Sequence, residues 1–197
     1  MAEDYFTARM VTLTDGVLSI AMTLLVLDVR LPGQSDTLSD SALWQQIIGI
    51  APQISSYALS FLVIAILWIN HVQRFRRLNK MTPLMTWLNI LFLLGVSIVP
   101  FTTSLLAENG NAVSTAIYAL GMAFASLMLA AMTIHVRAAG LVEVDPEATA
   151  MHTLWVLEFG TAAVFILSAA VAFVQPEWAK YCWLLLFPLN FYRSRHH

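Results

Sequence analysis

Six apolar segments separated by short polar breaks are the feature that most constrains how this chain folds. A spanning helix needs about 20 mostly apolar residues, and no backbone polar group can stay unpaired in lipid. Hydrophobic residues make up 59% of the chain and charged residues 11%, against about a quarter charged in soluble domains. We therefore predict an all-α integral membrane protein, a single domain over residues 1–197, with six transmembrane helices. The segments cover residues 10–30, Trp44–Asn70, Leu84–Ala107, Ala112–Val136, His152–Val174 and the short Trp178–Tyr192.

The distribution of Lys and Arg predicts the orientation. With six spans, eight of the ten cationic residues fall on the side of both termini: Arg9, Arg74, Arg76, Arg77, Lys80, Arg137, Arg193 and Arg195. The other side holds Arg30 and Lys180. Because cytoplasmic loops carry the excess of Lys and Arg, we expect both termini in the cytoplasm.

Several functional classes are disfavoured. The net charge of −2 and the absence of a basic arm give no sign of nucleic-acid binding. The single Cys182 rules out an internal disulfide and a cysteine metal cluster. An intramembrane metalloenzyme using His71, His135 and His152 lacks a close ligand pair, because the three lie in different segments. We expect no enzyme activity, no cofactor, no bound metal and no small-molecule substrate.

The first segment carries polar groups that are poorly suited to face lipid, Asp15 above all. On a helical wheel Ile20, Thr23, Leu24 and Leu27 form one stripe, and Asp15 lies about 140° away. One interpretation is a helix with a single packed apolar face. The other is a pore helix, with a hydrophobic constriction on one side and a polar anchor on the other.

The second segment ends in a polar face formed by Trp68, His71 and Phe75. His71 lies at the same depth as Asp15, so we predict a hydrogen bond from His71 to Asp15. Arg9 is six residues from Asp15 and does not face it on a straight helix. The alternative is an interfacial Trp68 beside a solvated His71.

The later segments add three expectations. Pro100 should bend the third helix. Gly121 and Ala125, four residues apart, favour close helix packing in the fourth. Glu158 marks a functional site in the fifth helix unless it pairs with Arg137 or His135, and the structural interpretation of such a pair is preferred.

These residues together resemble the prokaryotic members of the transmembrane protein 175 family, the endosomal and lysosomal potassium channels. The family motif Arg-x-x-x-Phe-Ser-Asp-Gly is matched by Arg9, Leu13, Thr14, Asp15 and Gly16, with Leu and Thr in place of Phe and Ser. The similarity extends through Trp68, His71 and Phe75 to Asn89 and Pro100 in the third segment. It covers the first three segments and the number of spans.

The resemblance implies a homotetrameric potassium channel of the bacterial cytoplasmic membrane, whose first helices surround a central pore. No Thr-Val-Gly-Tyr-Gly filter is present in this chain. The narrowest ring is then Ile20, Thr23 takes part in ion preference, and Leu24 and Leu27 form further rings. Residues of the matched motifs brace the pore helix, which maps this anchor network onto Arg9, Thr14, Asp15, Trp68, His71 and Asn89.

The resulting hypothesis is a leak-type channel that favours K⁺ modestly over Na⁺, with a hydrophobic gate that closes by dewetting. Two alternatives stay open. A proton-coupled transporter would use Asp15, His71 and Glu158 as a relay, although no inverted repeat is evident. A structural membrane protein would carry no ions.

Overall fold

The computed structural model describes residues 2–31, 39–76, 78, 80–141, 148–184 and 186, with 2–4 and 148–157 as backbone only. The described part is all-helical, as predicted. Its α-helices are α1 (Ala2–Leu24), α2 (Asp40–Gly49), α3 (Ala51–Phe75), α4 (Pro83–Ser97), α5 (Val99–Asn109), α6 (Ala112–Ala138), α7 (Ala148–Ala172) and α8 (Pro176–Leu184). A 3₁₀ turn, Leu25–Asp28, continues α1.

Four helical stretches in the described part are long and apolar enough to cross a membrane. They are Tyr5–Asp28, Ala51–Phe75, Pro83–Asn109 and Ala112–Ala138, and a shorter apolar stretch, Glu158–Ala172, lies in α7. The chain is thus a multi-pass membrane protein, and the count of six spans stays a prediction. The end of the sixth predicted segment, with Pro188 and Tyr192, lies outside the described residues.

Two predicted segments are each divided into two helices at a proline. The second is split at Ile50, and Pro52 lies in the first turn of α3, where its missing N–H has no helical partner to lose. The third is split at Ile98, with Pro100 in the first turn of α5. The interruption near Pro100 is confined to Ile98, so the two helices form the continuous stretch Pro83–Asn109, and the expected bend stays a prediction. In addition, α3 continues to Phe75, five residues beyond the predicted end at Asn70.

The helices pack around α6, which contacts α3, α4, α5, α7 and α8. In addition, α1 contacts α3, α4 and α5, and α7 contacts α8. The approach of α4 to α6 is close: a Cβ added to Gly95 would lie 2.9 Å from Phe124 Cδ1 and 3.3 Å from Ala125. Ala125 thus serves the close packing expected of it.

Candidate functional site

The two faces of α1 differ sharply in burial. One packs against the rest of the subunit through Met10, Thr14, Leu18 and Ala21, all buried, and is continued by buried Leu25 at the start of the 3₁₀ turn. Spacings of three and four residues place these side chains on one face. Their apolar contacts fix the rotation of α1 about its own axis, and so determine which residues face away from the subunit.

The opposite face holds the stripe predicted from the helical wheel. Ile20 is 59% exposed, Leu24 43% and Leu27 60%, and Thr23 is exposed with them. Large apolar side chains with this exposure lie against lipid or against another protein surface. Because the stripe also carries one hydroxyl group, that of Thr23, a lipid-facing role fits it less well.

The hydroxyl of Thr23 is oriented by its own helix. Oγ1 lies 2.9 Å from the Ile20 carbonyl oxygen and 3.1 Å from that of Ser19. The single hydroxyl proton is therefore directed back at the backbone, and the oxygen lone pairs are left to face outward. An outward lone pair can accept from water or contact a cation, and it offers nothing to an anion.

A neutral hydrogen-bonded cluster fastens the buried face of α1. Thr14 donates to the Met10 carbonyl at 2.9 Å and accepts from Asn89 Nδ2 at 2.9 Å. Asn89 Oδ1 lies 2.9 Å from His71 Nε2, and because the amide nitrogen is already donating, His71 must supply the proton. The ring of His71 stacks between Phe75 and Phe92, with centroids 4.1 and 5.6 Å away. We name Thr14, Asn89 and His71 the neutral brace; it joins α1, α3 and α4.

Asp15 is bound by Trp68 and not by His71. The Trp68 indole N–H donates to Asp15 Oδ1 at 2.8 Å. The predicted His71–Asp15 bond is therefore wrong. Trp68 lies one turn earlier on the same face of α3, and the longer reach of its indole satisfies the carboxylate, while His71 is turned inward to Asn89. Arg9 is exposed, with its guanidinium 5.8 Å from the Tyr5 ring centroid and no ion pair to Asp15 among the described residues.

Comparisons with known proteins assign this chain to a family. Residues 9–100 match the family described as endosomal/lysosomal potassium channel TMEM175. A potassium channel of Streptomyces collinus is 34% identical over 139 residues, which is 68% of this chain and 66% of that protein. The chain belongs to the TMEM175 family. A second relative, a potassium channel of Chamaesiphon minutus, is 34% identical over 102 residues, 52% of this chain and 50% of that protein.

The fold of a TMEM175 protein is matched as well. A crystal structure described as a lysosomal potassium-selective channel TMEM175 homolog from Chamaesiphon minutus superposes with a TM-score of 0.83 at 22% identity. The match covers 96% of this chain and 98% of that one. The sequence matches span only about half to two thirds of the two relatives' lengths, whereas the fold match runs over nearly the whole chain.

A second polar cluster in this TMEM175 chain is ionic. Arg74 and Glu158, both 1% exposed, form an ion pair through Nη2 and Oε1. Thr133 accepts from Arg74 Nε at 3.0 Å and donates to Glu158 Oε2 at 2.6 Å. We name Arg74, Glu158 and Thr133 the ionic clamp; it joins α3, α6 and α7.

The ionic clamp corrects the partner expected for Glu158. The carboxylate pairs with Arg74, whereas His135 Nε2 lies 2.8 Å from Thr82 Oγ1 and Arg137 is exposed. Glu158 thus forms a structural ion pair, as was preferred, but its partner is Arg74. Sequence reasoning missed the role of Arg74 because this residue was counted only among the cytoplasmic cations. Its spacing of one turn from His71 on α3 was the available signal.

Proposed function

We propose that this chain is the subunit of a homotetrameric, leak-type cation channel that favours K⁺ modestly over Na⁺. The stripe Ile20, Thr23, Leu24 and Leu27 lines a central pore, with the narrowest ring at Ile20. The protein lies in a bacterial cytoplasmic membrane with both termini in the cytoplasm, as the Lys and Arg distribution favours. The observation that carries the proposal is the exposure of this stripe on a helix whose other face is firmly packed.

Symmetry explains why an exposed stripe of this kind supports a pore. In a closed ring of identical subunits, the same surface of each copy faces the axis. An apolar stripe with outward hydroxyl oxygens, placed at that axis, encloses a narrow path that holds water only partly. The names of the relatives, both potassium channels, support the same assignment.

The chemistry of the ring supports a modest preference for K⁺. Apolar Ile20 side chains offer no ligand to replace water lost by a permeating ion, so the ion with the smaller dehydration cost passes more easily. K⁺ binds its water less tightly than Na⁺. One turn away, the Thr23 oxygens can contact the ion or its remaining water, which favours cations without demanding a single ionic radius.

The experiment is ion flux through purified protein in liposomes, with K⁺ and Na⁺ compared in parallel, and Ile20→Ala as the test variant. Truncation widens the ring, so we expect total flux to rise and the ratio of K⁺ to Na⁺ flux to fall toward one. The matched control is Leu167→Ala, an equally apolar truncation at a side chain 65% exposed on α7. Because α7 packs against α6 and α8, whereas α1 packs against α3, α4 and α5, we expect wild-type flux from the control.

The outcomes separate the alternatives. No flux from a folded wild-type oligomer under several voltages and pH values would leave a structural membrane protein. Flux that saturates and requires a proton gradient would instead support a transporter. The contacts give that transporter little support, because Asp15, His71 and Glu158 bond three different partners, Trp68, Asn89 and Arg74.

A further inference from the structure

The exposed face of α1 has two chemically distinct edges. Taking Ile20 as the centre and 100° per residue, the apolar side chains cluster within about 40° of it. The hydroxyl residues lie on one side of Ile20, each rotated from it by about 60–100° in the same sense about the helix axis. The apolar edge consists of Leu13, Ile20, Leu24 and Leu27, and the hydroxyl edge consists of Thr12, Ser19 and Thr23, all of them exposed.

Thr12 repeats the local geometry of Thr23. Its hydroxyl donates to the Ala8 carbonyl at 2.9 Å, so its lone pairs also face outward. Eleven residues separate the two threonines, which is about 20° of rotation and about 16 Å along the axis. Thr12 and Thr23 therefore point the same way from opposite sides of the Ile20 level.

The helix surface between Thr12 and Ile20 is open. Gly16 is exposed on this face, and a Cβ added to it would meet nothing within 4 Å. The absence of a side chain there leaves room beside the helix for hydrated ions. An ion leaving the Ile20 ring toward the N-terminal end thus passes Ser19 and then Gly16, where no side chain projects, before it reaches Thr12.

We infer that Thr12 forms a second ring of hydroxyl oxygens in the pore, a cation site on the N-terminal side of the Ile20 constriction, with Ser19 and Thr23 continuing the same edge. The site takes hydrated monovalent cations and partly replaces their water just before or after the constriction. This inference rests on the proposed pore. It makes Thr12 a residue that sets conductance in one direction of flow more than in the other.

Thr12→Val tests the inference, because valine keeps the shape and removes the oxygen. Currents are recorded in inside-out patches, where every channel has the same orientation, with equal K⁺ on both sides. Losing one favourable ion contact changes occupancy by about threefold. We expect current entering from the N-terminal side to fall about that much at low K⁺, with a smaller change in the opposite direction and at high K⁺.

Two comparison variants make the result specific. Thr12→Ser keeps the oxygen and should conduct like the wild type in both directions. If Thr12→Val matches the wild type at all K⁺ concentrations, while Ile20→Ala still changes the current, the Thr12 site is wrong and the pore assignment stands. If neither the wild type nor Ile20→Ala conducts, the pore itself is wrong and the Thr12 site falls with it. Gel filtration of each oligomer checks that the variants fold.

Discussion

The two buried polar clusters lie one helical turn apart on α3, but they differ in charge and join α3 to different helices. The neutral brace joins α3 to α1 and α4 through groups that carry no formal charge. The ionic clamp joins α3 to α6 and α7 through a buried guanidinium and a buried carboxylate. The neutral brace holds the helix that carries the exposed stripe, and the ionic clamp holds α6 and α7.

This difference has an energetic meaning. Breaking one partner out of a buried ion pair leaves a charge without compensation and costs about 3–5 kcal/mol, whereas a lost neutral hydrogen bond costs about 1–3 kcal/mol. Loss of one partner is therefore costlier in the ionic clamp, which joins α3 to α6 and α7, than in the neutral brace, which joins α3 to α1 and α4. The neutral brace adds to the apolar packing that already holds the buried face of α1.

The largest effect should follow Glu158→Leu. The change leaves the Arg74 cation buried beside Thr133, and we expect a loss of about 3–5 kcal/mol, or a melting temperature lower by about 10 °C. Thermal unfolding of the purified protein in detergent measures it. The control is the double variant Arg74→Met with Glu158→Leu, which removes both charges and should recover most of the loss. A double variant as unstable as the single one would show that packing, and not the unpaired charge, dominates.

An intermediate effect should follow Thr14→Val, which removes one oxygen from the neutral brace. Asn89 Nδ2 then loses its acceptor in a buried site, at a cost of about 1–3 kcal/mol. Thr102→Val is the matched control, because buried Thr102 also donates to its own helix, at 3.1 Å to the Val99 carbonyl. Melting temperature and single-channel open probability are measured together.

Variants of the neutral brace and of the ionic clamp should differ in open probability. For each kcal/mol of lost stability, Thr14→Val should change the open probability more than Glu158→Leu does. The reason is that only Thr14 belongs to α1. Equal changes of open probability per unit of lost stability would remove the functional distinction between the neutral brace and the ionic clamp. Thr102→Val should leave both quantities near the wild-type values.

The sequence predicted which residues share a face of a helix, but not which side chains on other helices they bond to. Apolar periodicity placed Ile20, Thr23, Leu24 and Leu27 together, and all four are exposed on one face. Periodicity describes rotation about a single helix axis. It says nothing about the height or rotation of a neighbouring helix. For this reason His71 was predicted to bond to Asp15, whereas Trp68 does so.

Helix ends explain the remaining errors. A hydropathy boundary stops where charge begins, so the second apolar segment was ended at Asn70 and Arg74 was counted among the cytoplasmic cations. In the structure Arg74 is helical and buried because Glu158 and Thr133 compensate its charge. The pairing of Arg74 with Glu158 links positions 84 residues apart, and no local pattern specifies such a pair. The division of the second segment did have a local signal, Pro52, which favours the start of a helix over its interior.

The smallest effect should follow Trp68→Phe, which tests whether the bond to Asp15 belongs with the neutral brace or acts as a surface contact. Trp68 is 39% exposed, so water can replace its N–H at the carboxylate, and we expect a loss of at most about 1 kcal/mol. Trp87→Phe is the control, since Trp87 is 64% exposed on α4 and removal of its N–H should be neutral. Both are measured as melting temperatures in detergent, with open probability recorded beside them.

A loss as large as that of Thr14→Val would mean that Asp15 is shielded from water in the assembled oligomer. The neutral brace would then extend to the exposed side of α1, and the stripe would be held from both edges.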